Sequence, residues 1–172
     1  MRSKAKDVAI ISLSVALLIG VQFALSFVQG LELVTLLMAV FAFSFGVKRD
    51  VLIAVAFSLL RCIVFGFYPS VVIVYLIYYP LLALLFGGLG NLFKRELNPK
   101  KHVIAITLAI VCVVVFTAID GVVSPLWFGL KGDGWLYYLE ASTIACLVGC
   151  ATNLVSFSLL FRPLVKVCTM RK

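Results

Sequence analysis

Five short polar breaks cut this chain into six apolar segments, and the basic residues follow the breaks in alternation. With Met1 placed on the inner side of a bilayer, Arg2, Lys4, Lys6, Lys48, Arg49, Lys94, Arg95, Lys100, Lys101, Arg162, Lys166, Arg171 and Lys172 all fall inside. Only Lys131 falls outside, and Arg61 lies within an apolar segment. The cytoplasmic leaflet is anionic, and short loops rich in Lys and Arg resist translocation, so this asymmetry fixes an orientation. It predicts an all-α, polytopic membrane protein with six transmembrane helices, roughly 8–28, 31–46, 51–65, 71–93, 103–123 and 139–161, and with both termini cytoplasmic.

The composition demands membrane lipid as the partner of these segments. A chain of 172 residues that is 64% hydrophobic and 13% charged cannot bury so much apolar surface in a soluble core. Each span needs ~20 apolar residues, so six spans with short connections make residues 1–172 a single integral membrane domain. The net charge of +8 belongs to juxtamembrane breaks and not to one patch, which argues against nucleic acid as a partner. The first apolar run is longer than a signal-peptide core and lacks a small-x-small cleavage site, so no removable leader is expected.

Enzymatic constellations are missing from the sequence. It contains no phosphate loop, no G-x-S-x-G and no paired-histidine motif, and its single histidine, His102, rules out a two-histidine haem site. No cofactor, metal site or catalytic residue is expected. Four of the five cysteines lie in apolar segments without a C-x-x-C, so they read as small packing residues.

Three patterns remain. On the first helix, Ser12, Ala16, Gly20 and Ala24 repeat every four residues and leave a stripe without bulk. Such a stripe lets another helix approach closely, either a sibling or a separate partner. Toward the outer side stand Glu32, Arg61, Asp120 and Glu140, with Gln29 near Glu32. Charges in hydrocarbon are costly, so these face a cavity, a partner, or one another, with Arg61–Glu32 or Arg61–Asp120 as the natural pairs. The third pattern is aromatic: Tyr68, Tyr75, Tyr78, Tyr79, Trp127, Phe128, Trp135, Tyr137 and Tyr138 all lie on the outer side. Interfacial belts place Trp and Tyr on both surfaces, so the one-sidedness points to an outward site in which rings stack on a flat ligand. Asn153, deep in the sixth helix, is expected to bond another helix.

These residues resemble the substrate-binding S components of energy-coupling factor (ECF) vitamin transporters. The resemblance rests on the chain's size, the six-helix pattern, and the stripe Ser12, Ala16, Gly20, Ala24. It also rests on the run from Glu32 to Gly46 and on the Gly66-Phe-Tyr-Pro break leading to Tyr79-Pro80. The family's first-helix motif is alanine-x-x-x-alanine; here Ser12 and Gly20 flank Ala16, so the match is one of size. The resemblance implies a subunit that captures a small-molecule vitamin at the outer face. It implies docking through helix 1 on a membrane coupling subunit that carries two cytoplasmic ATPase subunits, and release inward by toppling. ATP hydrolysis then belongs to the partners.

The substrate-binding candidates are Glu32, Arg61, Tyr68, Tyr75, Tyr78, Tyr79, Asp120, Trp127, Trp135 and Glu140. Three acids against one base favour a neutral or cationic ring compound, pyrimidine, thiamin-like or pyridoxine-like, with a corrinoid kept open by the glycine-rich third outer loop. Two other classes stay in view: a self-contained small secondary transporter or channel, which needs a continuous polar path, and a ligand-free membrane assembly subunit.

Overall fold

Long apolar runs with few interruptions give helices wherever the chain must satisfy its own backbone groups. The computed structural model describes residues 4–26 and 33–170, and those residues are helical nearly throughout, with no strand among them. In order they form α1 (Lys4–Ala24), α2 (Leu33–Phe45), α3 (Val47–Phe65), α4 (Pro69–Leu92), α5 (Pro99–Phe128) and α6 (Asp133–Ser156). A π-helical turn (Phe157–Phe161) then leads into α7 (Arg162–Met170). Among the described residues, four helices are long and apolar enough to cross a membrane: α1, α4, α5 and the continuous stretch Asp133–Thr169. Their outer faces carry large apolar side chains such as Leu13 (73% exposed) and Ile144 (66% exposed), too many for contact with water.

The centre of the bundle is α2. Ten of its thirteen residues are buried, and α1, α3, α4 and α7 pack around it. Helices in lipid gain nothing from hydrophobicity alone, so close backbone approach has to hold them together. Gly87 and Gly90 of α4 provide it. A methyl group on Gly87 would sit 2.6 Å from Val47 Cγ2, and one on Gly90 would sit 2.5 Å from the Phe43 carbonyl oxygen. The α5–α6 hairpin joins through α4, and α6 buries only Gly149 and Asn153.

Several breaks differ from the sequence expectation. Lys48, Arg49 and Asp50 do not form a turn but the start of α3; the turn is Gly46 alone, at φ 92°, a backbone conformation glycine adopts without a Cβ penalty. The third outer loop is not Ser124–Tyr138 but residues 129–132, because α5 runs through Pro125. Gly129 in the left-handed conformation then closes it with a Schellman motif (Gly129 N–H to Leu126 O, 3.3 Å; Leu130 N–H to Pro125 O, 2.9 Å). Arg162-Pro163 does not end the last helix. The π turn ahead of Pro163 shifts the hydrogen-bond register, and the proline falls in the first turn of α7, where a missing N–H costs least. The imidazole of His102 donates from Nε2 to the Phe157 carbonyl oxygen in that turn, at 2.9 Å. Asn153 bonds within its own helix, donating to the Gly149 carbonyl, and not to a neighbour.

Asp50 is the least expected burial. Its side chain is fully buried, and neither carboxylate oxygen has a partner among the described residues. An unpaired buried charge costs several kcal/mol. Asp50→Asn is therefore expected to leave the melting temperature unchanged or to raise it. A fall of more than a few degrees in a detergent thermal-shift assay would reveal an ionic partner.

Candidate functional site: an aromatic cluster around Arg61

The two ends of the bundle differ in chemistry. At one end, Arg49 pairs with Asp7 (2.8 Å) and the Arg95 guanidinium donates to the Ser44 carbonyl (2.7 Å), which gathers the starts of α1 and α3, the end of α2 and the α4–α5 turn. The other end holds the aromatic residues.

There, helical spacing on α4 sends Tyr75, Tyr78 and Tyr79 inward together. Tyr75 stacks on Phe57 of α3 (6.3 Å between centroids) and meets Tyr79 edge-on (4.9 Å); Tyr78 meets Phe116 of α5 edge-on (4.8 Å). The Arg61 guanidinium carbon lies 4.6 Å from the centre of the Tyr75 ring and 5.2 Å from that of Phe65. A cation over two aromatic rings is stabilised by their π faces, and such a contact contributes about 0.5–2 kcal/mol depending on desolvation. From α1, Gln22 donates to the Tyr75 hydroxyl at 3.4 Å. Phe116 of α5 also approaches Tyr75 (6.2 Å), so three helices converge on one tyrosine of α4.

Two polar atoms of this cluster are buried without a hydrogen-bond partner among the described residues: Gln22 Oε1, an acceptor, and Arg61 Nε, a donor. Both side chains adjoin the Tyr75 ring. Native proteins leave few such groups unpaired, because each costs the desolvation of a polar atom without return. A ring compound with one donor and one acceptor matches that need.

The expected ion pair between Arg61 and Asp120 is not formed. The Asp120 carboxylate accepts instead from the Ser124 and Tyr138 hydroxyls, both at 2.7 Å, and clamps α5 to α6. Glu32 and Gln29 lie outside the described residues. Tyr78 and Tyr79 are 2% and 5% exposed, whereas Arg61 and Tyr75 are half-buried. Tyr68, Trp127 and Glu140 are exposed and Trp135 is half-buried. Among the described residues no ring contact joins the two tryptophans to Tyr75. Gln22, Phe57, Phe65 and Phe116 were not singled out by sequence reasoning. A lone amide in an apolar helix was the available signal for Gln22; the phenylalanines are indistinguishable in the sequence from lipid-facing ones.

The small-residue stripe of α1 faces away from this packing. Ser12, Ala16, Gly20 and Ala24 are all exposed, while Ser14, Val15 and Leu18 on the other face are buried. A methyl group on Gly20 would meet nothing within 4 Å. The stripe is not spent on a sibling helix among the described residues.

An all-helical protein with several membrane-length apolar helices is the class that this fold defines. In comparison with known proteins, the chain matches no family model, no curated protein and no solved structure.

Proposed function

We propose that the chain is the substrate-capture subunit of an ECF-type, ATP-driven importer in a bacterial or archaeal cell membrane, with six spans, cytoplasmic termini and a vitamin or vitamin precursor bound at the outer face. One observation carries the reading: α1 performs two tasks on opposite sides. It sends Gln22 into the aromatic cluster and presents the bare flank Ser12, Ala16, Gly20, Ala24 outward. A capture subunit needs such an element, because ligand occupancy has to alter the surface that a coupling subunit reads. The short breaks between helices, and the gathering of Arg49, Arg95, Arg162 and Lys166 at one end of the bundle, support this reading.

The unpaired donor and acceptor beside Tyr75 suit a neutral heteroaromatic ring that accepts from Arg61 and donates to Gln22, and the Arg61 charge disfavours a cationic one. A second reading, a ligand-free assembly subunit, draws on the mutual packing of Tyr78, Tyr79, Phe57 and Phe116 and on the full occupancy of the Asp120 carboxylate. Mass spectrometry of the protein purified in mild detergent separates the two. A stoichiometric small molecule supports capture, and its absence after purification and after incubation with a vitamin panel supports assembly. With the ligand in hand, Arg61→Ala is expected to weaken binding by about tenfold, the loss of one hydrogen bond from a charged donor. Unchanged affinity in calorimetry moves the site away from Tyr75.

A further inference from the structure

At the basic end of the bundle, an open recess of about 450 Å³ lies between the α4–α5 turn and α7. Arg95, Arg162 and Lys166 line it together with Thr169 and the apolar Leu97 and Val165, and no acidic residue lines it among the described residues. The neighbouring recess along α1 and α3 differs, because Asp7 stands there beside Arg49.

The backbone fixes one of the three cations. The α4 helix ends in a Schellman motif, with Lys94 N–H to Asn91 O at 3.1 Å and Arg95 N–H to Gly90 O at 2.8 Å. Lys94 and Arg95 both take positive φ (51° and 61°), where glycine is the usual occupant. Two residues with side chains in that region cost stability, and such strain collects at functional positions. The turn directs Arg95 back to the Ser44 carbonyl, which uses Nη1 and leaves the other guanidinium donors. Lys166 and Arg162 are exposed on α7, whose other face carries the buried Val165 and the half-buried Leu164 and Cys168 into the core. That amphipathic helix has the character of an interfacial one.

We propose that this recess binds a phosphate group, the chemistry shared by an anionic phospholipid headgroup and free phosphate. Arginine forks match phosphate oxygens in pairs, and a basic pocket at the inner surface of a membrane bundle faces the leaflet in which anionic headgroups concentrate. The site rests on the membrane reading with the basic end inside, and not on vitamin capture. It therefore stands or falls separately from the Tyr75 cluster.

The test measures the melting temperature of delipidated protein in detergent after addition of phosphatidylglycerol, phosphatidylcholine or inorganic phosphate. Wild type is compared with Arg162→Gln/Lys166→Gln and with a control, Lys4→Gln/Lys100→Gln, which removes two exposed charges outside the recess. Phosphatidylglycerol is expected to raise the wild-type and control values by about 4 °C more than phosphatidylcholine does. The recess variant is expected to lose most of that rise. A shift from phosphatidylglycerol alone assigns the phosphate to lipid, and an equal shift from inorganic phosphate assigns it to the free anion. Lys166→Gln alone, at an exposed position, serves where the double variant does not fold. Equal shifts in wild type and recess variant, an equal loss in the control, or no preference over phosphatidylcholine overturns the site.

Discussion

Gly90→Ala is expected to destabilise the protein by about 2–3 kcal/mol, and Gly88→Ala, two residues away, to leave it as stable or slightly more so. The added methyl at Gly90 would stand 2.5 Å from the Phe43 carbonyl oxygen, with Phe43 Cα at 3.0 Å, so backbone and not a flexible side chain is in the way. Two helix axes would have to separate. In a membrane, that separation forfeits the dispersion contacts that hold α4 to α2, with no hydrophobic term to restore them. At Gly88 the same methyl meets nothing within 4 Å, and alanine restricts the unfolded chain more than glycine does. Denaturation in mixed micelles gives both values. Equal effects at the two positions would mean that α4 does not approach α2 through Gly90.

On the proposal of a capture subunit, Ala16→Trp is expected to abolish coupled uptake in whole cells, a loss of more than about tenfold, while ligand affinity of the isolated chain stays within about twofold. Ala16 is exposed on the flank of α1 opposite the buried Val15 and Leu18, so an indole there projects into lipid and disturbs no internal contact. It does prevent another helix from lying flat along Ser12, Ala16, Gly20 and Ala24. Uptake that survives the substitution would reassign the stripe to lipid. Binding lost along with uptake would mean that α1 itself is distorted, and Ala16→Leu then provides the milder obstruction.

The helices were legible in the sequence because length and apolarity suffice to mark them. Their ends were not. Pro125 reads as a stop, yet near the end of α5 it removes one hydrogen bond, and Gly129 is the residue that turns the chain. Lys48-Arg49-Asp50 reads as a loop because charge suggests water. The start of a helix accommodates the same residues, with Arg49 paired to Asp7 across the gap to α1. The aromatic cluster was legible in part. Spacing placed Tyr75, Tyr78 and Tyr79 on one side of α4, and the rarity of charge in hydrocarbon marked Arg61. Their conjunction depended on which face of α3 meets α4, and both faces of α3 are apolar, so no sequence period distinguishes them. The expected pairing of Arg61 with Asp120 ignored two hydroxyls, Ser124 one turn along and Tyr138 across the hairpin, that satisfy the carboxylate first.

The burial of α2 has a consequence for the choice of host bilayer. Its thirteen described residues rise about 20 Å, against a hydrocarbon core of about 30 Å. A lipid-facing helix of that length would thin the membrane or tilt its neighbours. Wrapped by α1, α3, α4 and α7, α2 meets protein along most of its length, and acyl-chain length exerts no direct pull on it. Adaptation to a thicker or thinner bilayer therefore falls to the sheath of longer helices, which slide and lean around a plug whose own dimensions stay fixed.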